Sequence, residues 1–161
     1  TWDGMGAGMV VMAPFTNMPS DVAALAQALN EGIVDFVATD HAPHSLVEKQ
    51  CTLEEAASGL SVLETALGSL MSLVHSGQVS LPVLIERLTI APARFLGMDL
   101  GTLRDGAPAD VTLFNPDAEW VVDAARFASK GKNTPLDGVT LKGRVVSTVV
   151  GGVVVFSATT N

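Results

Sequence analysis

The chain has 161 residues, of which 48% are hydrophobic, with a mean hydropathy of +0.39. Its formal net charge of −8 disfavours binding to nucleic acid, because an acidic surface repels phosphate. A single cysteine excludes an internal disulfide, and no apolar stretch reaches the roughly 18 residues of a membrane span. We expect a cytoplasmic protein with an α/β fold, whose Ala, Val and Leu suit buried helices and parallel strands.

The first forty residues contain a helix pattern followed by a strand pattern. After a start rich in Gly, Met and Pro, Ser20 fits a helix N-cap and Gly32 fits a C-cap. Residues 33–39, IVDFVAT, are rich in β-branched and aromatic side chains and predict a buried strand. A helix that leads directly into a strand is the repeating step of an α/β fold.

Two S/T-x-x-E patterns predict further helix starts. Thr52 with Glu55 and Ser61 with Glu64 both fit the capping box, in which each side chain bonds the backbone of the other residue. The second pattern opens an apolar helix that Gly77 ends.

The second half of the chain is richer in strand patterns. Ser80 is expected to cap a short helix, and Gly97 to close another. Composition changes near residue 100, after which residues 109–114 predict a strand. Two β-branched runs around Gly151-Gly152 predict a hairpin.

Residues 38–45, ATDHAPHS, concentrate polar groups just after the predicted strand. Reacting groups of α/β barrels lie where strands end, and Asp40 there could ligate a metal ion or accept a proton. The imidazole of His44 could donate to a carboxylate or pair with one when protonated. The spacing matches no metal motif of known mechanics, so a solvated loop with Asp40 as a turn former is the alternative.

Other chemically active side chains have simpler interpretations. His41 is expected to support the loop rather than ligate, and His75 to lie at a helix end where the dipole favours an imidazole. Nothing near Cys51 indicates an activated thiolate. Capping and surface roles are expected for Glu54, Glu55 and Glu64, and gap filling for Met5, Met9, Met12 and Met18.

The segment TDHAPH, residues 39–44, resembles the dihydroorotase signature within the amidohydrolase superfamily. Further blocks resemble successive parts of the same family in the same order, and together they extend over about residues 20–156. These blocks are EGIVDFVATDHAPHS, SGLSVLETAL, LTIAPARFLG, GTLRDGAPADVTLFNP and KNTPLDGVTLKGRVVSTVVGGVVVF.

The resemblance implies a distorted (β/α)8 barrel, of TIM type, joined to a small β-sandwich built from both chain ends. Residues 1–98 would be the last strands and helices of the barrel. Residues 99–161 would be the C-terminal part of the sandwich.

The resemblance also implies a reaction and its residues. The family hydrolyses the cyclic amide of dihydroorotate reversibly to N-carbamoyl-L-aspartate in pyrimidine biosynthesis. Asp40 matches an aspartate that ligates zinc and carries the proton of the attacking hydroxide to the leaving nitrogen. His44 matches a histidine that holds the substrate carboxylate, and Gly59 lies where backbone groups contact the pyrimidine ring.

Three histidines and no His-x-His are too few for the binuclear zinc site of this superfamily. We therefore expect the other ligands on a segment N-terminal to residue 1. The 161-residue chain alone is expected to be inactive and to bind zinc weakly. It is also expected to aggregate or associate, because an incomplete barrel exposes sheet edges.

The sequence departs from the family pattern at three positions. Ala13 and Asn17 replace the Asn and Arg of an Asn-Pro-Pro-Leu-Arg segment, and Ala57 replaces a common Pro. Loss of a hydrogen-bonding substrate contact costs about 1–3 kcal/mol. Besides a dihydroorotase, as a homodimer or with aspartate transcarbamoylase, two alternatives stay open. These are another cyclic amidohydrolase, such as a hydantoinase or allantoinase, and a non-catalytic subunit that scaffolds aspartate transcarbamoylase.

Overall fold

The computed structural model describes residues 18–52 and 54–158. Contacts divide them into two compact units that alternate along the chain. In its described part, the first unit consists of residues 39–66 and 121–141, and the second of residues 18–38, 67–120 and 142–158. The domain boundary at residue 98 stays a prediction.

The described residues form five α-helices and one three-stranded sheet. The helices are α1 (Pro19–Glu31), α2 (Leu46–Lys49), α3 (Ala66–His75), α4 (Leu81–Leu88) and α5 (Ile90–Phe95). The strands are β1 (Val111–Val121), β2 (Thr140–Val150) and β3 (Val153–Ser157), in the order β1-β2-β3. None of the helices described is long and apolar enough to cross a membrane.

Helix α1 begins two residues earlier than its sequence pattern suggested. Met18 occupies the N-cap position and makes no side-chain cap bond, so the prediction of Ser20 as N-cap is wrong. Pro19 explains the shift, because its fixed φ suits the first helical position and it has no N–H to satisfy. Gly32 ends the helix with φ of 77°, which confirms it as the C-cap.

Residues 33–39 are not assigned to a strand, contrary to the prediction. A strand is defined by the ladder of hydrogen bonds to its neighbours. In the described structure, Val37 N donates to Arg87 O at 3.2 Å. The Arg87 guanidinium donates to the carbonyls of Leu29 (3.3 Å) and Asp35 (3.4 Å). Arg87 of α4 therefore holds the end of α1 and the segment that follows it. Its guanidinium donates to two carbonyl groups there, and its own carbonyl accepts from Val37 N.

The predicted capping boxes fail, and a different one forms. The side chains of Thr52 and Glu55 bond each other at 3.1 Å, but in a turn rather than a helix. Ser61 precedes a 3₁₀ turn (Leu63–Thr65) and Glu64 lies within it, and both side chains bond residues far along the chain instead.

The capping box that does form lies at the start of α2. Ser45 accepts a hydrogen bond from Glu48 N, and the Glu48 side chain accepts one from Ser45 N. Farther along the chain, Ser80 caps α4 as predicted, accepting from Val83 N at 3.4 Å.

The apolar core of the second unit lies among α1, α3 and α4. Met71 and Leu84 are almost fully buried, at 1% and 0% exposure. Burial of one such side chain contributes about 1.5–3 kcal/mol. The buried members of this core are Ala26, Leu29, Met71, Val79 and Leu84.

Strand β1 is longer than the predicted 109–114 because it continues through Asn115 and Pro116. Proline is tolerated in an edge strand, where its missing N–H breaks no ladder bond. The Asn115 side chain accepts hydrogen bonds from the next two N–H groups, of Asp117 (2.9 Å) and Ala118 (3.2 Å). Asn115 and Pro116, which follow the predicted strand, therefore form part of an edge strand.

The hairpin between β2 and β3 is confirmed. Gly151 and Gly152 form its turn with φ of 55° and 80°, in the left-handed region that glycine adopts readily. The two strands pair antiparallel, and the register shifts between Thr148 and Val149.

Candidate functional site

The candidate site lies in the first unit, where residues 40–44 run beside residues 58–63. Asp40 is exposed and has φ of 49°. It is the one non-glycine residue with positive φ in the part of the chain described. Such a conformation is strained for most side chains, and aspartate is among those that tolerate it. No hydrogen bond or ion pair within residues 18–52 and 54–158 occupies the Asp40 carboxylate.

His41 holds the candidate loop against the next one. Its Nδ1 accepts hydrogen bonds from the N–H groups of Val62 and Leu63, both at 3.1 Å. A backbone N–H can only donate, so Nδ1 carries no proton and the neutral ring is protonated at Nε2. His41 also forms a parallel bridge with Leu60. These contacts agree with the supporting role expected of His41.

His44 is partly buried, and its ring is fixed on one side. Nε2 lies 2.9 Å from the carbonyl oxygen of Ser58, which can only accept, so Nε2 carries the proton and donates. Nδ1 lies 3.7 Å from a carboxylate oxygen of Glu48, an ion-pair distance when the ring is protonated. Nδ1 is thus the ring atom that faces the carboxylate of Glu48, while Nε2 is held by the Ser58 carbonyl.

The carboxylate of Glu48 is occupied by the capping box. It accepts hydrogen bonds from both the hydroxyl and the backbone N–H of Ser45, each at 2.7 Å. The Ser45 hydroxyl bond, followed by the Ser45 backbone bond, lowers the pKa of Glu48, and the charge of His44 adds a smaller effect. Glu48 is therefore ionised beside the His44 ring.

Gly59 packs directly against the candidate loop. Its φ is +135°, and a Cβ there would lie 2.5 Å from Ala42 O and 3.3 Å from His44 Cδ2. No larger residue fits without moving the loop. The structure therefore brings His44 and Gly59 into contact, whereas the Asp40 side chain bonds neither of them in the described residues.

Ala57, at one of the positions that depart from the family pattern, is held by α2. Lys49 is buried at 5% exposure, and its Nζ donates to Ala57 O. Desolvation by burial lowers the pKa of Lys49. Ala57 N donates to Glu48 O at 3.3 Å. Ala13 and Asn17, the other two departures, lie outside the described residues, as do Met5, Met9 and Met12.

Sequence reasoning missed three residues that support this site: Ser61, Gly131 and Asn133. The fully buried Ser61 hydroxyl donates to Gly131 O at 2.7 Å. A Cβ on Gly131 would lie 2.7 Å from His44 O. Asn133 bonds both His44 and Gly59. The local signal, an asparagine before Thr-Pro, indicates only a turn.

The described residues do not complete a metal site. Across residues 18–52 and 54–158, no three His, Cys, Asp or Glu side chains are grouped so that they could hold an ion. The exposed Asp40 carboxylate can supply one oxygen ligand, which is less than the four ligands that zinc takes.

The model of the Amidohydrolase family matches residues 5–155 of this chain. This match extends over most of the sequence. The chain therefore belongs to the amidohydrolase family.

Within this class, the curated relatives include dihydroorotases. The dihydroorotase of Geobacter metallireducens is 45% identical over 145 residues, which are 90% of this chain and 34% of the relative. The dihydroorotase of Aquifex aeolicus is 47% identical over 136 residues, 84% of this chain and 32% of the relative. The chain thus spans about a third of the length of these relatives.

Solved structures show the same fold. The L-hydantoinase (dihydropyrimidinase) from Arthrobacter aurescens matches with a TM-score of 0.85 and 32% identity, over 95% of this chain and 35% of that chain. A D-hydantoinase matches with a TM-score of 0.83 at 24% identity, which shows the fold alone. The α/β class is confirmed, and the assignment of residues 99–161 to a β-sandwich stays a prediction.

Proposed function

We propose that this chain is the C-terminal part of a zinc-dependent dihydroorotase of pyrimidine biosynthesis. The reaction is the reversible hydrolysis of the cyclic amide of dihydroorotate to N-carbamoyl-L-aspartate. The observation that carries the proposal is the exposed Asp40 carboxylate, which no group of the described structure occupies, on the same loop as a His44 ring that Ser58 fixes through Nε2. The 45% identity to a dihydroorotase supports the choice of substrate.

The proposed architecture follows the same family. Residues 1–98 would contribute the last elements of the barrel, and residues 99–161 would contribute strands to the β-sandwich. The sheet β1-β2-β3 supplies strands for such a layer. The remaining zinc ligands would come from a part of the full-length protein that precedes residue 1.

The chemistry assigns Asp40 a proton-transfer role. Hydrolysis adds the elements of water across the ring C–N bond, so an oxygen nucleophile loses a proton and the leaving nitrogen gains one. Asp40 accepts the first proton as general base and delivers it to nitrogen as general acid. Zinc, when bound, would acidify the water and polarise the ring carbonyl, with Asp40 as one of its ligands.

Two further residues orient the substrate in this proposal. The protonated His44 ring pairs through Nδ1 with the substrate carboxylate, while Nε2 stays bonded to Ser58. The Gly59 N–H makes no hydrogen bond within residues 18–52 and 54–158, and it is proposed to face the ring of the substrate.

The proposal includes a cytoplasmic location and assembly as a homodimer or with aspartate transcarbamoylase. Size measurement of the full-length protein, alone and mixed with aspartate transcarbamoylase, tests the assembly. A fixed monomeric mass in both samples would reject it.

Substitution of Asp40 by Asn in the full-length protein tests the mechanism. Because general acid–base catalysis contributes about 10²- to 10⁴-fold, kcat for dihydroorotate should fall by at least about a hundredfold. Carbamoyl aspartate formation is measured together with the circular dichroism of the folded protein. Asp105→Asn is the control, since Asp105 is also exposed.

Turnover of Asp40→Asn near that of the unsubstituted protein would rule out the catalytic role. Hydantoin and allantoin are assayed in parallel. Activity on either of them without activity on dihydroorotate would reject the proposed substrate.

A further inference from the structure

A single side chain joins the two loops that hold the proposed substrate residues. The Asn133 amide oxygen accepts from His44 N at 3.3 Å, and its amide nitrogen donates to Gly59 O at 2.9 Å. A backbone N–H only donates and a carbonyl only accepts, so these two partners determine the amide orientation. Asn133 therefore holds both loops at once.

The segment that carries Asn133 is itself fixed to the same loops. Ser61 N donates to the Asn133 carbonyl at 2.8 Å. The Ser61 hydroxyl donates to Gly131 O at 2.7 Å and lies 3.4 Å from the Asn133 amide oxygen. Gly131 approaches the His44 backbone so closely that a Cβ would lie 2.8 Å from His44 N. The amide of Asn133 has little freedom to move away from its partners.

These contacts leave the ligand-facing groups of both loops unused. Asn133 bonds the backbone of His44, and Ser58 bonds the ring through Nε2, so neither of them occupies Nδ1, which lies 3.7 Å from the Glu48 carboxylate. Asn133 takes the carbonyl of Gly59 while the N–H of Gly59 makes no bond in the described structure. The bonds from Asn133 and Ser58 therefore hold His44 and Gly59 in place without occupying His44 Nδ1 or the Gly59 N–H.

We infer that Asn133 is a positioning residue for substrate binding, acting through His44 and Gly59. This inference rests on the proposed function and adds a residue to it. Asn133 touches neither the substrate nor Asp40 in this scheme, so its loss should weaken binding of dihydroorotate rather than proton transfer.

The test compares Asn133→Ala and Asn133→Asp in the full-length protein, with dihydroorotate as substrate. The Ala variant loses both side-chain bonds and should raise KM about tenfold, the effect expected from one or two lost hydrogen bonds. The Asp variant keeps an acceptor for His44 N but loses the donor to Gly59 O, and should raise KM at least about threefold. In both variants kcat should change by less than about threefold.

Asn115→Ala is the matched control. Its side chain also accepts from two backbone N–H groups, in strand β1, and its removal should leave KM unchanged. The inference is overturned if Asn133→Ala has the KM of this control, if kcat falls as steeply as KM rises, or if both Asn133 variants fail to fold. The unsubstituted protein is assayed before any variant. If it does not hydrolyse dihydroorotate, the proposed function is overturned as well.

Discussion

At the scale of the residue, the absence of a side chain at position 59 controls how closely two loops approach. Gly59 combines a left-handed φ with a neighbouring carbonyl, Ala42 O, only 2.5 Å from where a Cβ would be. Gly77 also has a positive φ, of +73°, but there is open space around it. A side chain at position 77 would therefore strain the backbone without meeting a neighbouring atom.

Gly59→Ala should therefore be more harmful than Gly77→Ala. The latter introduces backbone strain alone, about 1 kcal/mol of unfolding free energy. The former also displaces Ala42 and the His44 ring, so it should lower stability further and raise KM for dihydroorotate. Urea unfolding and steady-state kinetics of the full-length protein measure both effects. Equal losses in the two variants, with KM unchanged, would contradict the packing argument.

Sequence patterns point to candidate residues only where those residues lie close together in the chain. Asp40 and His44 were singled out because they are four residues apart, and the family resemblance added Gly59 and the roles of all three, which stay predictions. Asn133 was not found because its partners lie 89 residues away at His44 and 74 away at Gly59. No local pattern contains that information.

At the scale of the element, α2 depends on one ionised side chain. The four-residue helix is too short to be stable by itself, so the Ser45–Glu48 capping box supports it. The pKa of Glu48 is lowered in the folded protein. Stabilisation from this carboxylate is therefore complete above its unfolded-state pKa and is lost as pH falls through its folded-state pKa.

Glu48→Gln should remove this acid sensitivity. The difference in unfolding free energy between the unsubstituted protein and the Gln variant should be largest near neutral pH and should shrink as the pH is lowered to about 3. Urea titrations across this range measure it, with Glu54→Gln as an exposed control. A difference that is constant with pH would show that the ionised carboxylate does not stabilise α2.

Helix ends were predicted well at glycines and poorly at capping patterns. Gly32 and Gly77 end α1 and α3 because a left-handed residue there is a local requirement. Ser61 and Glu64 match the capping pattern, but Ser61 bonds Gly131 and Glu64 accepts from Ala128 N at 3.1 Å. Both side chains bond residues that are distant in the sequence instead of the start of the helix. A local sequence pattern does not reveal such partners.

At the scale of the whole molecule, the sheet presents an apolar edge. Strand β3 lies at one end of the order β1-β2-β3, and its four apolar residues, Val153 to Phe156, are 48–64% exposed. Exposed apolar edges favour pairing with another chain. This surface supports the expectation that the 161-residue chain associates when it is expressed alone.

Lysines at positions 153 and 155 should reduce that association. The double substitution Val153→Lys with Val155→Lys adds charge to β3, whereas Gln27→Lys with Gln50→Lys adds the same charge to exposed positions elsewhere. Light scattering after size exclusion should show a smaller mass for the first variant alone. A monomeric unsubstituted chain that melts cooperatively would refute the expectation.

The polar interruption of β1 makes any growth of this sheet self-limiting. Pro116 has no N–H, and the Asn115 side chain already takes the N–H groups of Asp117 and Ala118. Three successive positions of this outer strand thus have no free donor for an incoming strand. We expect an incoming strand to add at β3. Two copies joined through their β3 strands would have β1, which lacks free N–H donors at residues 116–118, at both outer edges of the combined sheet. Pairing should therefore stop at two chains rather than continue into a fibre.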